Sequence, residues 1–171
     1  MKILIQNGRV IDPASGLDQT CDIALAAGRI VSVNRVPPDF APNRTINAAG
    51  CIVLPGLVDL AARLREPGHE HEGMLESEMA AAVAGGVTSL VCPPDTDPVL
   101  DEPGLVDMLK FRAEKLHQSR VFPLGALTRG LKGEVLTEMA ELTESGCIGF
   151  GQAEVPIVNA QVLQRALQYA A

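Results

Sequence analysis

The chain has no tryptophan, a single tyrosine and four phenylalanines, so a core built from it must be assembled from Val, Leu, Ile and Ala. With 47% hydrophobic but only 3% aromatic residues, that composition suits an α/β protein. Basic residues are also scarce: 14 Lys and Arg against 21 Asp and Glu leave a net charge of −7. No basic stripe exists to neutralise phosphates, which argues against nucleic acid or an anionic membrane as partner; a basic protein surface stays compatible. No apolar run approaches the ~18 residues of a membrane span, and Met1-Lys2 leads straight into a short strand, so no signal peptide is expected. Cysteines 21, 51, 92 and 147 show no C-x-x-C spacing and lie in or beside apolar stretches. They read as reduced core thiols of a cytoplasmic protein. No G-x-G-x-x-G follows a strand, which lowers the weight of a dinucleotide-binding sheet.

What is present falls into two parts. Residues 1–54 alternate short β runs with turn dipeptides: KILIQ then Asn7-Gly8, DIALA then Ala27-Gly28, RIVSVNRV, the Pro-rich VPPDFAP, then TINA and Ala49-Gly50. They predict a small antiparallel β unit. Residues 55–171 repeat strand then helix. Strand 57–60 precedes an Ala-rich helix at 75–84 that Gly85-Gly86 ends. VTSLVC is the next strand. A helix follows over 102–118, with Asp101 as N-cap and Pro103 in its first turn, then strand VFPLGAL, a helix over 134–144, strand CIGF, and a helix over 160–170 capped by Asn159. Strict alternation implies parallel strands joined by right-handed crossovers. Four strands cannot close a barrel, and an open half leaves unpaired edges and bare apolar faces. The expectation is a fragment, or a second copy or partner over the opening.

The stretches LPGLVDLAARLREPGHE, AAAVAGGVTSLVCPPDTDPVLDEP and GALTRGLKGEVLTEMAEL resemble, in order, the N-terminal half of a dihydroorotase of the amidohydrolase superfamily. The resemblance covers essentially the whole chain. It implies an α/β fold of the metal-dependent-hydrolase type: a zinc-dependent (β/α)8 TIM barrel, of which 55–171 is the first half, and a small β-sandwich to which residues 1–54 contribute. Such enzymes interconvert carbamoyl aspartate and dihydroorotate in pyrimidine synthesis.

In that family the first barrel strand ends D-x-H-x-H-x-R. Side chains alternate across a strand, so positions two apart face the same way and both histidines reach one metal. Here Asp59, Ala61, Arg63 and Arg65 share that face. Alanine has no lone pair to give, and a guanidinium has five donors, no acceptor and a permanent positive charge. The resemblance therefore implies a lost zinc site, with no cofactor and no catalytic residue. The family's C-x-P-N-T, whose Asn helps hold the substrate carboxylate, reads Cys92-Pro93-Pro94-Asp95-Thr96, so an amide has become an acid that opposes an anionic substrate. Where relatives carry a bridging ligand, this chain reads Phe150-Gly151-Gln152-Ala153-Glu154; a small shift in alignment places Glu154 there. Arg65, the family's substrate-carboxylate arginine, is retained.

Each of these residues also has a structural reading. Arg65 suits an ion pair with Glu66 or Asp95. Arg63 suits the vacated metal space, offset by Asp59 or Asp95. His69 and His71, the only H-x-H, suit solvated loop histidines or a displaced metal site. His117 suits a favourable charge at a helix C-terminus, Cys92 and Cys147 suit core positions, and Asp95 and Asp97 suit turn stabilisation. Two functions stay open. One is an inactive dihydroorotase-like protein kept for assembly with aspartate carbamoyltransferase, as a homo-oligomer or hetero-complex. The other is a working zinc-dependent cyclic amidohydrolase with altered ligands.

Overall fold

The computed structural model describes residues 1–170, which fold as two compact units, Met1–Pro55 and a second that begins at Gly56. The first unit is one five-stranded sheet. Strands β1 (Lys2–Asp12), β2 (Leu17–Ala26) and β3 (Arg29–Val33) form an antiparallel meander. Its second turn uses Ala27 and Gly28, both at positive φ, the backbone sense that suits the right-handed twist of a tight hairpin.

The expectation of a purely antiparallel unit fails at the next strands. β4 (Arg44–Asn47) and β5 (Ile52–Val53) both run parallel to β1. The cause is the long Pro-rich connection, because only a crossover can bring a strand back in the same direction. Its end is pinned where Asn43 N donates to the Lys2 carbonyl at 2.9 Å and Lys2 N donates to Asn43 Oδ1 at 2.7 Å. Val10, Cys21 and Ile23 centre a small core, with Ile5, Leu17, Leu25 and Val53 packed against them. Cys51 is exposed and is therefore no core thiol; it sits on the turn in which its own N–H returns to the Ala48 carbonyl.

The second unit carries the β/α repeat. Strands β6 (Leu57–Asp59), β7 (Val87–Cys92) and β8 (Arg120–Pro123) are parallel and adjacent in that order. β9 (Gly125–Ala126) and β10 (Phe150–Gly151) are parallel to each other. The stretch VFPLGAL is thus two short strands broken at Leu124, whose N–H turns to the Cys92 carbonyl while Gly125 N reaches Gly149 O. CIGF is mostly approach to β10 rather than strand.

Helices α1 (Leu75–Ala84), α2 (Pro103–Leu116), α3 (Met139–Glu144) and α4 (Ala160–Ala170) link the strands or follow them. α4 begins as expected, with Asn159 Oδ1 accepting from Gln161 N at 2.9 Å. α3 does not reach back to 134. Leu136 bridges Thr128, and Thr137 N–H is taken by the Leu127 carbonyl, so that backbone is unavailable to a helix. Asp101 is not the cap of α2 either; Glu102 precedes the helix without a side-chain bond, and Asp101 Oδ2 accepts from Gly130 N at 2.7 Å.

Leu64, Leu75, Met79, Leu90, Leu100 and Leu109 form the main core, and Val106, Leu142 and Cys147 a second cluster. Leu57 and Val58 of β6, and Leu60 just beyond it, are 49–74% exposed. Among the described residues no helix is long and apolar enough to cross a membrane.

A charged side chain lies inside this unit. Glu66 is 2% exposed; its Oε2 accepts from Leu75 N, the first residue of α1, at 3.0 Å, and its Oε1 is ion-paired with Arg112 Nη2 of α2. Carboxylates favour helix N-termini, where free N–H groups and the helix dipole both point at them. Replacing Glu66 with alanine leaves the Leu75 N–H without its partner and should cost about 1–3 kcal/mol. Glu66→Gln, which keeps an acceptor for Leu75, should cost less. Urea denaturation of both variants checks the order; equal losses would mean that the charge paired with Arg112, absent from both variants, carries the effect rather than the acceptor for Leu75.

Candidate functional site

The site lies where β6 runs out. Regular strand pairing stops at Asp59, yet Ala62 N still reaches the Val91 carbonyl of β7 at 2.9 Å. The alternation of side chains persists past the strand: Ala61, Arg63 and Arg65 are exposed while Leu64 and Glu66 are buried. Asp59 turns locally, its Oδ1 accepting from Ala61 N at 2.9 Å, and does not meet Arg63.

Arg63 has two acid partners. Its Nε donates to Asp95 Oδ2 at 2.7 Å and its Nη2 to Glu154 Oε1 at 2.9 Å. Asp95 follows β7 and Glu154 follows β10, so one guanidinium gathers the ends of three chain segments. Asp95 above all, then Glu154, holds the charged form and raises the Arg63 pKa. The side chains of Arg63, Asp95 and Glu154 are 38%, 26% and 84% exposed. At such exposure each arm is worth on the order of 0–1 kcal/mol, the Asp95 arm more than the Glu154 arm.

Arg65 is not paired with Glu66 or Asp95, as the sequence suggested, but with Glu72 Oε2 at 2.9 Å. Its backbone is left-handed, φ +64°, which breaks the strand geometry, and Glu66 is taken by Arg112. Arg63, Arg65, His69, Asp95 and Thr96 nevertheless line one small pocket of about 140 Å³, with Cys92 at its base. The pocket's shape depends on Gly68. Its φ is +99°, and a Cβ there would come within 2.1 Å of the Asp97 carbonyl oxygen, so only glycine lets this loop nest against the 95–98 turn.

His69, His71 and Glu72 form a group whose ligand atoms all lie within 4.8 Å of one another. His71 and Glu72 are exposed, and the third ligand already carries the Arg65 guanidinium. Gln152 is placed otherwise: its Nε2 donates to Thr128 Oγ1 at 2.8 Å and to the Leu131 carbonyl at 2.9 Å. Thr128 is fully buried and also accepts from Gly133 N at 2.9 Å. This network under the barrel mouth is not legible in the sequence, because none of its spacings is periodic. A larger cavity, about 480 Å³, lies between α2 and β8 around Lys110, Glu114, His117 and Arg120. It sits at the N-terminal end of β8, the end of a parallel barrel that carries stability rather than chemistry.

The residues present do not fit a divalent metal at the end of β6. Ala61 has no donor atom, Arg63 brings a fixed positive charge, and the two nearby carboxylates are already engaged by it.

Parallel strands with helical crossovers, and polar side chains gathered at the strands' C-terminal ends, are the architecture of part of a β/α barrel. Two solved structures share that architecture. An L-hydantoinase from Arthrobacter aurescens superposes with a TM-score of 0.79 over 98% of this chain and 38% of its own, at 21% identity. A D-hydantoinase gives 0.70 over 99% and 38%, at 18% identity. Residues 50–171 match the family described as "Dihydro-orotase-like", and the chain belongs to it. It is 50% identical over 171 residues to a "Dihydroorotase-like protein" of Pseudomonas putida and 47% identical to one of Pseudomonas aeruginosa. A "Dihydroorotase" of Pelobacter propionicus is 46% identical over 170 residues. The chain spans about 40% of the length of these relatives.

Burial decides which thiols react. It pushes Cys92 up to about 12 and Cys147 up to about 11. At pH 8 a thiol of pKa 12 is ionised in only about one molecule in ten thousand, and the thiolate is the reactive form. Iodoacetamide at pH 8 should therefore label exposed Cys51 and leave Cys92 and Cys147 intact until the protein is denatured. Peptide mass mapping reads the result; early labelling of Cys92 would mean that the pocket opens to its base.

Proposed function

We propose that this chain belongs to a dihydroorotase-like protein that does not catalyse, and that serves pyrimidine synthesis as an assembly partner of aspartate carbamoyltransferase. The observation that carries the reading is Arg63: where the resemblance calls for a metal-binding histidine, a guanidinium is bound by Asp95 and Glu154 beside Ala61. A bound metal lowers the pKa of its water from 15.7 to about 7 and polarises the scissile carbonyl; without it, several kcal/mol of transition-state stabilisation are missing. Asp95 also sets a negative charge where the family has an amide, against an anionic substrate. The names of the two Pseudomonas relatives, dihydroorotase-like rather than dihydroorotase, agree with this reading. The partner comes from the resemblance: members of the family that have lost such residues bind aspartate carbamoyltransferase and are needed for its large complex.

A second reading keeps catalysis. His69, His71 and Glu72 supply a metal-capable group at the rim of the same pocket, so a working cyclic amidohydrolase with displaced ligands is the alternative. Arg65 on Glu72 opposes it.

The full-length protein carrying this chain, purified without added metal, should contain far less than stoichiometric zinc by elemental analysis and show no dihydroorotate hydrolysis. Stoichiometric zinc with turnover would overturn the first reading in favour of the second. Mixed with the aspartate carbamoyltransferase of its own organism, the protein should form a larger particle by light scattering; no shift in size would remove the assembly role. The double variant Ala61→His with Arg63→His should stay inactive, because Asp95 and the Gln152-Ala153 pair are unchanged. Turnover at family rates in that variant would show that the two positions alone withhold activity.

A further inference from the structure

We propose that Arg63 is a built-in cation that holds the ends of three barrel segments together and keeps divalent ions out of the barrel mouth. The inference rests on the non-catalytic reading and goes beyond it, since a site can lose its ligands without acquiring a replacement charge. Here the replacement charge has two acid partners. The guanidinium sends Nε to Asp95 and Nη2 to Glu154, at 2.7 and 2.9 Å, from a position four residues beyond the last residue of β6. Asp95 stands three residues beyond β7 and Glu154 three beyond β10, so none of the three residues is near another in sequence. Two carboxylates that converge on one point repel each other unless a cation lies between them, and Arg63 is the cation in contact with both. The same pair would supply oxygen donors to a divalent ion if the guanidinium were absent. Permanent charge makes the exclusion independent of pH over the range in which proteins stay folded.

The test uses the full-length protein in a His69→Ala, His71→Ala background, so that the loop histidines cannot take up metal. In that background zinc or EDTA should leave Tm unchanged. Arg63→Met should lower Tm, Asp95→Asn should lower it by a similar amount, and the two together should lower it by less than the sum, because both remove one interaction. Adding Ala61→His and Arg63→His should lower Tm in EDTA, bind about one zinc per chain by isothermal titration, and recover Tm when zinc is added. Additive losses from Arg63→Met and Asp95→Asn would overturn the clamp. Zinc bound by the background protein with Arg63 in place would overturn the exclusion, and so would failure of the quadruple variant to bind it. If the quadruple variant does not fold, zinc titration of Arg63→Met decides the second point: metal uptake absent from the background protein supports exclusion, and no uptake overturns it. Turnover by the unaltered protein would instead strike the non-catalytic reading, so the two failures are told apart.

Discussion

The geometry of the candidate site depends on one buried carboxylate. Glu66 is the first inward-facing residue after Leu64, and it is tied at once to the N-terminus of α1 and to Arg112 of α2. A carboxylate at 2% exposure is tolerated only when its charge and lone pairs are engaged, so this loop has few places to go. With Glu66 fixed inward, the alternating backbone sends Arg63 and Arg65 outward on either side of Leu64. Gly68 then brings the loop back against the carbonyl of Asp97, at a distance no side chain permits. The pocket between Arg63 and Asp95 follows from these anchors rather than from the arginines themselves.

The two outward arginines meet different fates for a backbone reason. Arg63 sits where the extended chain still pairs with β7 through Ala62, and it reaches the acids beyond the strand ends. Arg65, two residues on, is left-handed and swings to Glu72, within its own loop. The residue that the family resemblance assigns to substrate binding is therefore engaged locally, while the residue at which that resemblance leads one to expect a metal ligand makes the long-range contacts.

Much of this is legible in the chain alone, and the failures share a cause. The β/α order, the ends of α1 and the Asn159 cap all depend on neighbours within a few residues, where period and side-chain chemistry speak directly. The parallel return of β4 and β5 to β1, the bridge from Thr128 to Leu136 that shortens α3, and the transfer of Asp101 from helix cap to Gly130 depend on contacts across 8–43 residues. The same holds at the site. Asp95 is among the partners that the sequence offers Arg63, but Glu154, 91 residues away, stands in the sequence only as an acid near a ligand position.

A site that has merely decayed should show its losses one by one, each leaving an unmatched group. The group at the mouth of β6 does not look like that. An uncompensated arginine would face no acid, and a carboxylate at position 95 beside an alanine at 63 would have lost its 2.7 Å partner. The two departures from the family pattern, histidine to Arg63 and amide to Asp95, are individually unfavourable for metal and substrate but mutually complementary in charge. Gln152, in the stretch 150–154 where the resemblance leads one to expect a bridging ligand, is likewise engaged by Thr128 and Leu131 rather than left idle. Each of these departures from the family pattern is thus matched by a hydrogen bond or ion pair within the chain, and the polar groups at the end of β6 are partnered by one another.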